Sequence, residues 1–367
     1  MKKQVYLKDV CEKGSSNIAQ KDLESNQGAY PIYGASGLIK HVDFFKQDKP
    51  YIAIVKDGAG VGRTMLLPAY SSVIGTMQYI FPKDNIHIRY LYHALSWMNL
   101  GKYYTGATIP HIYFKDYQDE PLMLPSMEEQ EEIVSVLDKL DQLVEQRKQQ
   151  LSKLDELVKS RFIEMFGDLV IGDKVSTNKH KIGDIATVTK LAGFEFTKYI
   201  QYKDQGDIIM LRGLNCKKGH LVLDDIKWID KETSDLLPRS KLYYGDILMT
   251  YAGTIGDVAM VDADDKYHLA PNVAKITLTD KMAYNPVFLI HLFMYTNDYI
   301  MTFASVVAQA SINMEKIRNF EYYFPSVEQQ NAFATFVEQI DKSKFEIQKS
   351  LEKLETLKKA LMQKYFG

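Results

Sequence analysis

Residues 125–167 and 325–367 are two copies of one segment, and this duplication limits the possible folds more than any other feature of the chain. The copies align without a gap, share 12 of 43 positions, and both begin with Pro-Ser and end with Phe-Gly. Ser126 and Ser326 each stand three residues before a glutamate or glutamine, as in a helix capping box. The closing glycines suit the left-handed residue that follows a helix. We therefore predict one long helix in each copy, and a chain organised as a repeat.

Apolar residues recur every three or four positions in both copies, which is the pattern of a coiled-coil seam. The polar interruptions are staggered: Lys344 and Lys358 stand where the first copy has valine, and Arg147 stands where the second copy has isoleucine. This stagger favours two helices that pair with each other, although two unrelated coiled-coil tails used for dimerisation are the alternative. The predicted seam consists of Leu137, Leu140, Val144, Leu151, Leu154 and Val158 in the first copy, and Val337, Ile340, Ile347, Leu351, Leu354 and Leu361 in the second.

Weaker repetition precedes each long helix. YLYHALSWM (90–98) parallels FLIHLFMYT (288–296), and DGAGVGRTMLL (57–67) parallels YAGTIGDVAMV (251–261). Both glycine stretches lie between strand-like runs and lack the spacing of a phosphate-binding loop, so we predict β-hairpin turns. The order is module, helix, module, helix, in an α/β (α+β) fold. The predicted boundaries are 1–124 for the first module, 125–167 for the central helix, 168–324 for the second module and 325–367 for the C-terminal helix.

Composition and short motifs give little support to an enzyme. The 367 residues carry a net charge of −2 and two cysteines, with no metal-ligand spacing, so we expect no metal site. No run of about 18 apolar residues occurs, so we expect a cytoplasmic protein without membrane association. NPVF (285–288) resembles part of the catalytic loop of DNA amino-methyltransferases, but its Asn-Pro also fits a helix start. We assign no catalytic residue.

The remaining candidates are polar, basic and aromatic side chains on loops. Arg and Lys bond guanine edges, Asn and Gln bond adenine, and Tyr or Ser bond phosphates, so these residue types suit duplex DNA. The candidates in the first module are Tyr33, Ser36, Lys56, Arg63, Tyr103, Tyr104, Thr108, His111, Tyr113 and Lys115. Those in the second are Arg212, Asn215, Lys217, Lys218, His220, Tyr251, Thr254, Gln309, Ser311 and Asn313.

Several stretches resemble the specificity subunit of type I restriction–modification systems. They are the helix starts LPSMEEQEEI and FPSVEQQNAF, GDILMTYAGTIGDVAMV (245–261) with PNVAKI (271–276), and YPIYGASGLI (30–39). The resemblance implies a non-catalytic DNA-reading subunit. Each module would be a target-recognition domain for one half of a bipartite, asymmetric DNA site, and the two long helices would pack antiparallel as a spacer.

The resemblance also implies the partners and cofactors. Double-stranded DNA, two methylation subunits and restriction subunits would bind the chain. S-adenosylmethionine would be bound by the methylation subunits, and ATP and Mg by the restriction subunit, whereas this chain would bind no cofactor itself. Two alternatives stay open: a coiled-coil interaction scaffold with two carbohydrate- or peptide-binding modules and no DNA role, and an autonomous adenine DNA methyltransferase that uses NPVF.

Overall fold

The chain folds into two compact units, each of which includes parts of both long helices. The computed structural model describes residues 3–106, 110–175, 179–305 and 310–367. Unit 1 comprises Met1–Gln149 and Gln348–Gly367, and unit 2 comprises Gln150–Ile347.

The module of unit 1 is built on two larger sheets and a two-stranded sheet of β1 and β9. The larger sheet is antiparallel in the order β2-β8-β5-β6, and the smaller has the order β4-β3-β7, in which β3 and β7 run parallel. The strands are β1 (Lys3–Tyr6), β2 (Cys11–Ser15), β3 (Tyr30–Gly34), β4 (Gly37–Val42), β5 (Tyr51–Val55), β6 (Thr64–Leu67), β7 (Ser72–Val73), β8 (Met77–Pro82) and β9 (Pro121–Leu124). The helices are α1 (Leu7–Val10), α2 (Ile88–Trp97), α3 (Phe114–Tyr117) and α4 (Met127–Phe166).

Unit 2 repeats this plan and adds elements that unit 1 lacks. Its antiparallel sheet has the order β11-β20-β17-β18, and its second sheet, β15-β12-β19-β16, again contains one parallel pair, β12 with β19. The hairpin β13–β14 is inserted after β12, whereas β3 in unit 1 turns directly into β4. The strands are β10 (Lys179–Lys181), β11 (Ala186–Lys190), β12 (Ile208–Leu211), β13 (Cys216–Lys217), β14 (His220–Leu221), β15 (Lys227–Ile229), β16 (Lys241–Leu242), β17 (Ile247–Thr250), β18 (Val258–Met260), β19 (Tyr267–Leu269), β20 (Val273–Leu278) and β21 (Glu321–Tyr323). The helices are α5 (Ile182–Ile185), α6 (Gly193–Tyr199), α7 (Lys231–Asp235), α8 (Pro286–Tyr295), α9 (Asn297–Met301), α10 (Met314–Arg318) and α11 (Val327–Phe366).

The two glycine stretches form the predicted hairpin turns. GAGVG connects β5 to β6, with Gly58 at φ 93° and Gly62 at φ 87°, which are left-handed values that glycine adopts without strain. AGTIG connects β17 to β18 with Gly253 and Gly256 at φ 86° and 85°. Strand β5 is buried along its whole length because it lies in the middle of its sheet, which explains its uninterrupted apolar sequence.

Both long helices start with the predicted capping box. Ser126 N–H donates to the Glu129 carboxylate at 3.1 Å, and Glu129 N–H donates to the Ser126 hydroxyl at 3.3 Å. Ser326 and Gln329 make the same pair of bonds at 3.2 and 3.4 Å. Gly167 follows α4 at φ 64°, as predicted for the residue after a helix.

Each copy opens with a hexapeptide, PSMEEQ (125–130) or PSVEQQ (325–330), whose last residue links the long helix to its module. Gln130 is fully buried; its side-chain oxygen accepts from His87 N–H at 2.8 Å, and its amide donates to Pro125 C=O at 3.0 Å. Gln330 accepts from Asn285 N–H at 3.0 Å and donates to Pro325 C=O at 2.9 Å. The hexapeptide therefore both starts a helix and links it to the segment that precedes α2 or α8.

Replacement of Gln330 by methionine is expected to destabilise unit 2 by about 1–3 kcal/mol. The change keeps the volume but leaves the Asn285 N–H and the Pro325 carbonyl without a partner in a buried place. Urea unfolding would measure the loss. Gln339→Met is the matched control because Gln339 is exposed on the same helix, and equal stability of the two variants would contradict the role of Gln330.

The long helices pair antiparallel, as their contacts within each unit show. In unit 1 the Lys358 ammonium bonds to Asp141, and Lys148 lies 3.4 Å from Glu355, so the first half of α4 contacts the second half of α11. In unit 2 Lys344 Nζ lies 2.6 Å from Asp155, so the second half of α4 contacts the first half of α11. The lysines that interrupt the seam thus bond to acidic residues of the opposite helix, and the predicted pairing is confirmed.

The predicted seam residues face inward. All twelve are buried or partly buried, with Leu137 and Val158 among the least exposed in α4, and Val337 and Leu351 in α11. The helix ends join the module cores: Leu361 and Met362 pack in unit 1, and Phe162 and Phe166 pack in unit 2.

Within the described ranges, no helix has the length and apolarity needed to cross a membrane.

Candidate nucleic-acid interface

In unit 1 the turn between β5 and β6 is bonded to the loop that precedes α3. Ile112 N–H donates to Lys56 C=O at 2.9 Å, and His111 forms backbone bridges with both Asp57 and Thr105. These bonds bring two loops from distant parts of the sequence into one surface, which we call loop frame 1 (residues 56–63, 104–106 and 110–113).

Unit 2 contains the same arrangement. Ile312 N–H donates to Tyr251 C=O at 2.8 Å, and Ser311 forms backbone bridges with both Ala252 and Ser305. We call this surface loop frame 2 (residues 251–257, 304–305 and 310–313). Lys56 and Tyr251 therefore occupy equivalent positions, as do His111 and Ser311, so the two frames share these backbone bonds and carry different side chains.

A cleft beside loop frame 1 brings Ser36 and Arg63 together. Arg63 donates from a guanidinium nitrogen to the Ala35 carbonyl at 3.1 Å, which holds this exposed side chain at the tip of the β3–β4 turn. Ser36 is exposed on that turn, and both residues line the cleft with Gly58 and Gly60. Tyr33 lies further back in β3, where its ring packs against buried residues that come mainly from β5, β6 and β8 of the larger sheet.

The aromatic and basic candidates of loop frame 1 are partly exposed. The His111 and Tyr113 rings lie 5.3 Å apart, and the Lys115 ammonium lies 5.5 Å from the Tyr113 ring centre. Tyr104 and Tyr113 are 57% and 49% exposed, so both can contact a large partner. Lys56 Nζ lies 3.7 Å from Asp57, which offsets part of its charge.

Tyr103 is held within the chain rather than presented to a partner. Its hydroxyl bonds to the Glu120 carboxylate, which also receives the Lys102 ammonium. Burial alone would raise the pKa of Glu120, but the hydrogen bonds from Lys102 and Tyr103 outweigh that effect and lower the pKa. Tyr103 therefore belongs to an internal network that holds the segment before α3.

Asn215 requires a correction, because it is not placed to contact a base. Its side chain is fully buried, and its amide donates to the carbonyls of Val222 and Asp225, both at 2.8 Å. Its oxygen accepts from Arg212 N–H at 3.0 Å. Asn215 thus shapes the insertion after β12. The Arg212 guanidinium donates to the Asp225 carboxylate at 2.7 Å and so also contacts this insertion.

Lys217, Lys218 and His220 lie exposed on the β13–β14 hairpin. Gly219 N–H donates to Val258 C=O at 2.9 Å, which lays the hairpin tip along β18. A side chain at Gly219 would meet Ile290 of α8 at 3.0 Å, so the tip also approaches that helix. These three candidates therefore lie on the insertion that follows β12, which packs along β18 and approaches α8.

The other described candidates of unit 2 lie within loop frame 2. The Tyr251 hydroxyl accepts from Asn272 N–H at 3.3 Å, Thr254 is exposed in the β17–β18 turn, and Ser311 forms the loop base. Asn313 caps α10 by accepting from Lys316 N–H at 2.9 Å, so its side chain has a structural role. Thr108 and Gln309 lie outside the described residues.

Lys190 was missed by the sequence reasoning. It ends β11, is exposed, and its ammonium lies 5.5 Å from the centre of the Tyr251 ring. Its backbone pairs with Ala274, on the strand between β11 and β17. Lys190 and Tyr251 are separated by 60 residues along the chain, and only the order of the strands in the sheet brings them together.

NPVF is a helix start. The Asn285 side-chain oxygen accepts from Val287 N–H and Phe288 N–H at 2.9 and 3.3 Å, and its amide donates to Asn331 at 2.8 Å. Pro286 occupies the first helical position. Both ends of the Asn285 amide are therefore bonded to α8 and α11. This argues against the methyltransferase alternative, in which NPVF would be catalytic.

The described residues give little support to a metal site or to a reactive cysteine. Across residues 3–106, 110–175, 179–305 and 310–367, no three His, Cys, Asp or Glu side chains are grouped to hold a metal ion. Burial raises the pKa of the Cys11 and Cys216 thiols to about 12, so both stay protonated at neutral pH.

Comparison with solved structures supports the fold. The chain superimposes over its whole length on the type I restriction–modification S subunit from M. genitalium, with a TM-score of 0.63, 14% identity and 96% of that chain covered. A chain from a structure described as showing complex assembly and conformational transition of the type I R-M system gives a TM-score of 0.56 at 14% identity, with 97% of that chain covered. The predicted α/β fold with two modules and two long helices is confirmed.

Sequence comparison identifies the family. The chain is 24% identical over 322 residues to the type I restriction enzyme EcoBI specificity subunit of Escherichia coli, a match that spans 77% of this chain and 66% of that relative. It is 23% identical over 329 residues to the MjaVIII specificity subunit of Methanocaldococcus jannaschii, spanning 85% and 77%. The family model for the type I restriction modification DNA specificity domain matches residues 2–155 and 175–359. The chain therefore belongs to the type I restriction modification DNA specificity domain family.

Proposed function

We propose that this chain is the sequence-specific DNA-recognition subunit of a type I restriction–modification complex and reads a bipartite, asymmetric DNA site. The repeated loop frame carries the proposal: the same backbone bonds hold Ile112 and Ile312, while the side chains around them differ. Two equivalent surfaces with different chemistry would read two different half-sites.

The functional division follows the repeat. Residues 1–124 and 168–324 act as target-recognition domains, and residues 125–167 and 325–367 act as spacer helices. Each helix has 40 residues and is therefore about 60 Å long, which exceeds one turn of duplex DNA, about 34 Å. Paired helices of this length would fix the number of base pairs left unread between the half-sites.

The exposed candidates would contact DNA, and other subunits would carry out the chemistry. In unit 1 these exposed or partly exposed candidates are Ser36, Lys56, Arg63, Tyr104, His111, Tyr113 and Lys115, and in unit 2 they are Lys217, Lys218, His220, Tyr251, Thr254 and Ser311. Two methylation subunits would bind S-adenosylmethionine, and restriction subunits would use ATP and Mg. The use of Asn285 in a helix start supports a non-catalytic chain. The net charge of −2 also fits a reader that is held on DNA by its partners.

An electrophoretic mobility shift experiment tests the proposal. The full chain, with and without its methylation partner, is incubated with a duplex that contains the methylated motif of the host genome and with a scrambled duplex of the same composition. We expect the complex to retain the motif duplex more strongly than the scrambled duplex. If the subunits assemble but retain both duplexes equally, the chain is an interaction scaffold without a reading function.

A further inference from the structure

The two loop frames differ in where their cation comes from. In loop frame 1 the cation is on the frame: it is the side chain of Lys56, whose carbonyl accepts the Ile112 N–H. In frame 2 the equivalent residue is Tyr251, whose carbonyl anchors Ile312, and no lysine occupies that position in the sequence.

In unit 2 a lysine lies beside the loop frame but belongs to a different strand: it is Lys190 of β11. β11 occupies the place in its sheet that β2 occupies in unit 1, since both are edge strands that pair with the strand next to the loop-frame hairpin. Lys190 ends β11, and Ser15 ends β2. Unit 1 thus has serine on the edge strand and lysine on the frame, whereas unit 2 has lysine on the edge strand and tyrosine on the frame.

The tyrosine ring holds the ammonium at the frame. The Lys190 ammonium lies 5.5 Å from the Tyr251 ring centre, within the range of a cation–π contact. The Tyr251 hydroxyl is fixed in turn by Asn272 N–H at 3.3 Å. This contact favours a position of the Lys190 side chain beside loop frame 2 and leaves its charge intact.

The charge of Lys190 is less compensated than that of Lys56. Lys56 has Asp57 at 3.7 Å, and the residue equivalent to Asp57 in frame 2 is Ala252. Lys190 forms no ion pair with a carboxylate in the part of the chain that the structure describes. An exposed, uncompensated ammonium held in place suits a DNA phosphate, which lysine binds as a point charge.

We infer that Lys190 is a phosphate-contacting residue of unit 2 and holds, at loop frame 2, the cation that Lys56 holds at loop frame 1. The inference rests on the proposed DNA-reading function and adds a residue to it. A contact with phosphate positions the unit on DNA without specifying a base.

The test compares Lys190→Gln with Lys198→Gln in the full chain assembled with its methylation partner. Lys198 is the matched control because its ammonium also lies over a tyrosine ring, that of Tyr199 at 4.8 Å, and it is exposed in the same unit. Fluorescence anisotropy measures Kd for the motif duplex, and for duplexes with single changes in either half-site, from 50 to 300 mM KCl. A Lys190→Arg variant retains the charge.

We expect Lys190→Gln to raise Kd about fivefold at 150 mM KCl and to reduce the slope of log Kd against log salt by about 0.9, the effect of one lost phosphate contact. The ranking of the altered duplexes should stay unchanged, and Lys198→Gln and Lys190→Arg should match the unsubstituted chain. If Lys190→Gln has the Kd and slope of Lys198→Gln while the unsubstituted complex binds the motif, the inference is wrong and the proposed function stands. If the unsubstituted complex does not prefer the motif, both are wrong.

Discussion

Insertion of one heptad into each long helix is expected to lengthen the unread gap of the DNA site by roughly three base pairs. Seven helical residues add about 10.5 Å, and each base pair of duplex adds about 3.4 Å. The insertions belong after Gln149 in α4 and after Lys349 in α11, where duplication of the next seven residues keeps the apolar pattern. The half-sites should not change, because both loop frames are untouched.

Methylome sequencing of cells that carry the extended chain and its partners measures the gap. A chain with the insertion in α4 alone is the control: the contacts of Lys358 with Asp141 and of Lys344 with Asp155 cannot both form in it, so we expect reduced methylation. A longer chain that methylates the original motif with an unchanged gap would contradict the spacer role of the helices.

Replacement of Phe166 by alanine is expected to destabilise unit 2 by about 3–5 kcal/mol, the usual cost of removing a buried phenylalanine ring. Phe166 is fully buried, and its ring centre lies 5.1 Å from that of Phe162, 5.2 Å from that of Phe288 and 5.7 Å from that of Phe333. The substitution leaves a cavity where α4, α8 and α11 meet.

Hydrogen exchange followed by mass spectrometry can locate this effect. We expect faster exchange in the α8 peptides of Phe166→Ala. Phe345→Ala is the control, because Phe345 is 66% exposed on α11 and its loss should change stability by no more than about 0.5 kcal/mol. Equal protection in the two variants would show that the Phe166 ring does not anchor α4 to unit 2.

The sequence predicted the elements that depend on local patterns. The capping boxes at Ser126 and Ser326, the hairpin turns at GAGVG and AGTIG, and the helix start at Asn285 all follow from residue types at fixed spacing. The pairing of the helices was also predictable, because Lys344 and Lys358 interrupt the seam in one copy where the other copy is apolar.

The interface was less predictable because it depends on strands that are distant in sequence. Asn215 looked like a base-reading residue in LRGLNCKKGH, but its amide bonds to the carbonyls of Val222 and Asp225. No sequence motif marks Lys190 as a candidate, because its contact with Tyr251 depends on the order of β11, β20 and β17 in the sheet. The buried Gln130 and Gln330 were visible as a repeat, but only the structure shows what they bond to.

Methylome sequencing of cells with and without this chain, in the presence of its methylation partner, tests the central claim most directly. The account predicts one methylated motif with two different half-sites separated by a fixed unread gap, and loss of all methylation at that motif when the chain is deleted. Methylation that persists without the chain, or a motif without a gap, would contradict the account.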